Sequence, residues 1–195
     1  MPEVTGLREV SSREVIVELD GHAWRSFPAL VVARTGISVG TRLERSDLRL
    51  IRRELKRQQA LEAATRMLAR RPLSRALLEE RLDRRGVAPD AREEAIEALE
   101  RARYLDDRSY ALARARALTE SGWGDAVIRF RLGSEGVGDE LIEEAVDTLP
   151  PEVERAGSLA SKEDKRERLL AKLKRRGFSF ETIELVAGRN EDASD

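Results

Sequence analysis

Apolar and polar residues alternate in "EVIVELDG", which puts Val15, Val17 and Leu19 on one side of an extended segment. Asp20-Gly21 follows, a pair suited to a two-residue hairpin turn because both positions take positive φ, so "HAWRSF" is predicted to return as a second strand. Pro28 fits the first position of a short helix, "PALVVART", which Gly36 would end. "ISVGTRL" then leads to Ser46, the predicted cap of a helix over "SDLRLIRREL". Residues 1–55 thus read as a small module with a β-hairpin and short helices.

Beyond that point the two-residue period gives way to a helical one. "QQALEAATRMLARR" spaces Leu61, Ala64, Met67 and Leu68 along one helix face, and Pro72 ends it. Ser74 can cap "SRALLEERLDRR", with Leu77, Leu78 and Leu82 on one side, until Gly86 closes it. "APDAREEAIEALERARYL" follows, with Asp90 and Glu93 at capping-box spacing and Ala95, Ile96 and Leu99 turned inward.

The phrase then recurs. "RLDRRGVAPDAREEAIEAL" and "RLGSEGVGDELIEEAVDTL" align without a gap, superposing Leu82 on Leu132, Gly86 on Gly136 and Ile96 on Val146. A third copy, "KLKRRGFSFETIELVAG", sets Leu173, Gly177 and Phe178 in the same places. Unequal shifts mark three related helical units rather than a strict solenoid period. The expected units are 56–105, 106–149 and 150–189, with 190–195 as a disordered tail. The third unit's first helix falls in "PPEVERAGSLASKED", where Pro150, Pro151 and Gly157 leave the weakest helical signal. In each unit a helix ends at a glycine able to take the left-handed conformation, and the apolar residue after it packs back. Gly86, Gly136 and Gly177 are hinges by this reading. No glycine-rich loop follows a strand, as phosphate-binding motifs require.

"RYLDDRSYA" lies where the first unit hands over to the second and holds both tyrosines of the chain. Asp106 or Asp107 suits the cap of "DRSYALARARALTESG", with negative charge at the helix's positive end. Tyr104, Leu105 and Tyr110 are expected to fill the joint, the tyrosine rings buried and their hydroxyls at its edge. The two adjacent aspartates are also a candidate acid/base or metal pair. Against that, neighbouring helical residues do not face one point.

Composition narrows the classes. Charged residues are 37% of the chain and aromatics 4%, which favours helices with solvated faces. There is no cysteine, and His22 is the only histidine, so disulfides, thiolate sites and histidine-rich metal clusters are excluded. No apolar run approaches the roughly 20 residues a membrane span needs, and the opening "MPEVTGLREV" is unlike a signal peptide. A soluble cytoplasmic protein is expected, with no metal or cofactor.

The formal net charge of -1 hides a segmental pattern. Residues 42–85 carry fourteen Lys+Arg against seven Asp+Glu, 133–164 two against ten, and 165–178 seven against one. Such blocks are either solvated helix faces or a basic face for an anionic partner. The basic candidates for partner or DNA contact are Arg81, Arg84 and Arg85 in the first unit and Arg108, Arg114, Arg116, Arg129 and Arg131 in the second. Lys172, Lys174, Arg175 and Arg176 complete the set in the third. Trp123 is either a base-stacking platform or core, and Phe178 and Phe180 read as packing.

"YLDDRSYA", "GVGDELIEEAV" and "KRRGFSFETI", in that order and separated by helices, resemble the RecX family of recombination regulators over about residues 58–188. The resemblance implies a mainly α protein: three tandem three-helix repeats in an elongated array, here preceded by the small β-hairpin module. It implies a non-enzymatic regulator of homologous recombination, DNA repair and the SOS response. Such a protein binds RecA or RecA filaments on single-stranded DNA, touches duplex DNA weakly, and restrains ATPase and strand exchange. A monomer is expected. The alternative is a free-standing helical DNA-binding protein acting without RecA, although no single helix offers an evident base-reading set. A nuclease built on Asp106 and Asp107 is the third class, and it would require magnesium.

Overall fold

The computed structural model describes residues 1–159 and 166–192. It divides into two compact units, Met1–Arg71 with Glu79–Tyr104, and Pro72–Leu78 with Leu105–Asp195.

In the first unit, three strands form an antiparallel sheet in the order β1 (Val4–Ser11), β2 (Glu14–Leu19), β3 (His22–Pro28). The β2-β3 turn is the predicted one: Asp20 and Gly21 have φ of 50° and 82°. Between Val17↔Arg25 and Glu18↔Ala23 the register slips, leaving Trp24 without a partner on β2, a bulge that bends the exposed edge strand. Val4, Val15, Val17 and Phe27 pack from the sheet onto Val32 of α1 (Ala29–Thr35) and Ile51 of α2 (Arg45–Leu68). Gly36 closes α1 in the left-handed conformation.

Helix α2 runs unbroken for 24 residues, straight through residue 55. Ser46 is not its cap. Glu44 is, in a reciprocal capping box with Asp47, because the helix begins one residue before the serine. The first half of α2 serves the sheet module through Ile51, and its second half packs Ala60 against Ala91 and Ala95 of α4 (Pro89–Arg101). Small side chains there let the two helix backbones approach closely. The Asp90 and Glu93 capping box is also absent: α4 starts on Ala88 with Pro89 in its first turn, and Ala88 has no side chain able to cap. Between these helices lies α3 (Arg75–Asp83), within which the boundary of the two units falls.

The second unit holds two three-helix bundles. The first is α5 (Asp107–Glu120), α6 (Asp125–Ser134) and α7 (Asp139–Asp147), around Ala111, Ala115, Leu118, Ile128, Leu132, Ile142 and Val146. The other is α8 (Glu152–Leu159), α9 (Arg166–Arg175) and α10 (Phe180–Asp192), around Ala156, Leu169, Leu173, Phe178, Ile183 and Val186. Helix α8 forms despite Pro150 and Pro151, because both precede its first turn and the Pro151 carbonyl accepts from the amides of Glu154 and Arg155. Residues 160–164 of the weak stretch lie outside the described residues. Helix α10 continues to Asp192, so 190–192 are helical rather than part of a tail, and 193–195 lie outside the described residues.

The middle helix of each repeat ends in the same hydrogen-bonded motif. After α3, α6 and α9, the amides of Val87, Val137 and Phe178 donate to the carbonyls of Leu82, Leu132 and Leu173, with Gly86, Gly136 and Gly177 at φ of 73°, 77° and 76°. Val137 and Phe178 are buried, plugging back as the sequence implied.

Candidate partner-binding surface and the joints between repeats

The handover at "YLDD" departs from expectation at Tyr104. After α4 the chain takes the same reversal, but Arg103 stands at the left-handed position, with φ 60°. The amide of Tyr104 donates to the Leu99 carbonyl at 2.9 Å. The reversal turns the Tyr104 ring outward, 74% exposed, and buries Leu105 in its place. Tyr110 is half-buried and its hydroxyl donates to Glu135 at 2.8 Å. Asp106 caps α5, accepting from the amides of Arg108 and Ser109. Asp107 does something the sequence did not suggest: its Oδ1 accepts from the amide of Arg75 at 2.7 Å, at the start of α3. Beside it, Ser74 accepts from the Leu77 amide, as predicted, and donates its hydroxyl to the Glu135 carbonyl.

The same joint is built again one repeat later. The first turn of α6 replaces that of α3: the amide of Asp125 donates to Glu152 at 2.9 Å, and those of Gly124 and Ala126 to the carbonyls of Arg176 and Gly177. A side chain at Gly124 would strike the Gly177 backbone, and one at Gly136 would strike Ala76. Glu152 also accepts from the amide and hydroxyl of Ser179 and from Thr182. Burial pushes the Glu152 carboxyl up, but hydrogen bonds from Ser179, Asp125 and Thr182 outweigh it and hold the group below its ordinary value. Arg155, 8% exposed at its side chain, pairs with Asp125 and donates to the Trp123 carbonyl.

These joints consume much of the predicted basic surface. Arg176 donates to the carbonyls of Ser121 and Gly122 and lies 5.8 Å from the Trp123 ring centre. Arg131 stacks on the other nominated aromatic contact, Trp123, at 4.6 Å, so Trp123 is a packing residue lidded by guanidiniums. Arg108 pairs with Glu144, Arg114 with Glu135 and Arg129 with Glu143, each through a hydrogen bond that raises the arginine's pKa further. Lys172 donates to the Leu159 carbonyl. Three acids of the acidic block, Glu135, Glu143 and Glu144, therefore neutralise arginines of their own bundle.

Arg116, Lys174 and Arg175 remain exposed with no ion pair among the described residues. Phe180, expected to pack, is 78% exposed instead. It rims an open apolar cleft with Leu170, Phe178 and Ile183, because it opens α10 at the first position, outside the bundle core.

The remaining three nominated arginines converge. Arg81, Arg84 and Arg85, at the end of α3, meet Arg70 and Arg71, just past the end of α2, in an open cleft of about 430 Å³ with Met67 as its sixth lining residue. Arg84 pairs with Glu80 at 2.5 Å. For the other four no ion pair is present among the described residues. Arg70 and Arg71 were missed in the sequence because they sit in a helix-ending stretch before Pro72 that reads as a connection. The signal available was the run "ARR" placed 10 to 15 residues before "RLDRR".

Among the described residues no group of three or more His, Cys, Asp or Glu is placed to hold a metal, and no helix is long and apolar enough to cross a membrane. Asp106 and Asp107 are both spent on helix ends. A fold of three-helix repeats with capped joints defines a helical tandem-repeat protein. Its sequence places it more closely. Residues 60–99 match the first three-helix domain of RecX and 106–146 the second. The chain is 37% identical to the regulatory protein RecX of Chromohalobacter salexigens over 132 residues, covering 62% of this chain and 85% of that one. With RecX of Chlorobaculum tepidum it is 31% identical over 156 residues, 73% and 97% of the two chains. A crystal structure of regulatory protein RecX shares the fold with a TM-score of 0.84 at 19% identity, over 96% of this chain and all of that one. RecX from Lactobacillus salivarius does so at 0.62 and 21%, over 70% and 97%. The chain belongs to the RecX family of regulatory proteins.

Proposed function

We propose that this protein regulates homologous recombination without catalysing a reaction, by binding RecA or its filament on single-stranded DNA and restraining ATPase and strand exchange. Family membership carries the reading. Physical support comes from the repeats: bundles joined in series, each with its own small core, present a succession of surfaces to a partner that is itself a repeating polymer. The adjacent aspartates, the one feature that suggested chemistry, are occupied as caps, which supports a binding role over a nuclease. Co-sedimentation with RecA assembled on single-stranded DNA tests it. The protein is expected in the filament pellet in a saturable ratio; recovery only in the supernatant, at concentrations where the filaments are intact, would count against the proposal.

A further inference from the structure

One side of α9 carries Glu167, Leu170, Ala171 and Lys174, at the i, i+3, i+4, i+7 spacing that shares a helix face. All four line an open cleft of about 550 Å³, whose other wall is Phe178, Phe180 and Ile183, with Glu184 beside them. The Phe180 ring is 78% exposed. Glu167 and Lys174 are exposed too, and neither has an ion pair among the described residues. Seven residues place them about 10 Å apart along the helix axis, too far to pair with each other.

The other repeats use this side of the middle helix differently. Aligning Leu82, Leu132 and Leu173 sets Leu170 against Glu79 of α3 and Arg129 of α6, and Glu167 against Ala76 and Ala126. Glu79 pairs with Arg92 and Arg129 with Glu143, each within its own repeat. Ala76 abuts Gly136 of the following repeat, and the amide of Ala126 donates to the Gly177 carbonyl of the one after. The third repeat replaces the ion-pairing residue by leucine and the joint alanine by glutamate. Leu170 thereby joins Ala171, Phe178, Phe180 and Ile183 in one apolar surface with opposite charges at its two ends, the kind of surface that marks an interaction site.

We infer that this surface binds a second copy of the chain, forming a two-fold symmetric dimer through antiparallel α9 helices, in place of the monomer expected from the sequence. A two-fold interface sets one patch against itself, so its charges must be complementary to their own reversed order. The stripe meets that condition. With the axis between residues 170 and 171, Glu167 faces Lys174 of the second copy at both ends, and Leu170 faces Ala171, whose small side chain leaves room for the leucine. Phe180 is then carried to the facing cleft, where Leu170, Phe178 and Ile183 provide an apolar seat. A groove for a foreign helix needs no such symmetry in its charges. The inference concerns the chain with itself and does not depend on the regulatory reading. One consequence does: two linked copies offer a repeating partner a second contact at raised effective concentration.

The test is sedimentation velocity of the full chain at rising concentrations, with neither RecA nor nucleic acid present. The mass is expected to move from one chain to two. Glu167→Lys and Lys174→Glu each set like charges against one another at both ends of the pair, and each alone is expected to weaken association by about tenfold or more. Mixing the two single variants restores opposite charges at both ends, and a mixed dimer is expected to form about as readily as the parent one. Phe180→Ala is expected to weaken association by a similar factor. All three side chains are exposed, and circular dichroism checks that the variants fold. A mass of one chain at every concentration would overturn the inference and leave the cleft to a different partner. Single variants that associate as the parent does, or a mixture that recovers nothing, would overturn it as well. Because RecA takes no part, these outcomes leave the regulatory reading untouched, and a failure of that reading leaves the dimer standing.

Discussion

The backbone amide of Arg75 donates to Oδ1 of Asp107 at 2.7 Å, so the acid that begins α5 satisfies the start of α3, while its neighbour Asp106 caps α5 itself. Two adjacent carboxylates of one type thus hold two helices. Asp107→Ala is expected to lower stability by about 1 kcal/mol, the usual cost of losing a capping acceptor, and Asp107→Asn by less, because asparagine also accepts. Urea denaturation of the single variants measures it. An Asp107→Ala midpoint equal to that of the unaltered protein would show that the bond between α3 and α5 contributes nothing.

Glu152 performs the corresponding task one repeat later, and there the bond has a pH signature. Its folded pKa lies below the ordinary glutamate value of 4.5. A depressed acid stabilises the fold fully above its unfolded pKa, and that contribution is lost as pH falls from about 4.5 through the folded value. The thermal midpoint is therefore expected to drop more steeply below that pH in the unaltered protein than in Glu152→Gln. Parallel curves for the two proteins would remove Glu152 as the titrating hub of the joint.

The two tyrosines of the chain should behave oppositely. Tyr104 is 74% exposed, so Tyr104→Ala is expected to stay within about 0.5 kcal/mol of the parent, as surface substitutions do. Tyr110→Phe leaves Glu135 short of a donor and is expected to cost about 0.5 to 1.5 kcal/mol. Equilibrium denaturation followed by circular dichroism distinguishes them. A large loss at Tyr104 would restore the packed joint that the sequence suggested.

These residues also show what could be read from sequence. The Asp20-Gly21 turn, the end of α1 at Gly36 and the glycine motif after each middle helix depend on neighbours in the chain, so local pattern reveals them. Strand β1 went unseen because only Val4 of its eight residues is fully buried, which leaves no alternation to detect. The continuity of α2 was hidden by Ser46, a good capping residue that falls inside the first turn. Tyr104 misled because a large ring suggests burial, whereas backbone reversal at Arg103 decides its direction. The basic site was half legible. Charge density marked the arginines, but Arg114 and Glu135 are 21 residues apart and Arg176 and Ser121 are 55, and only the fold shows that the first two neutralise one another and that the Ser121 carbonyl accepts from Arg176. Removing the committed cations exposes the cleft and adds Arg70 and Arg71 to it.

The central claim, that this RecX family chain restrains RecA, is tested most directly by the DNA-dependent ATPase rate of RecA on single-stranded DNA, measured while the protein is added up to stoichiometric amounts. The account predicts a progressive, saturable fall in the rate with no hydrolysis by the protein alone. A rate that stays unchanged at equimolar protein would contradict it.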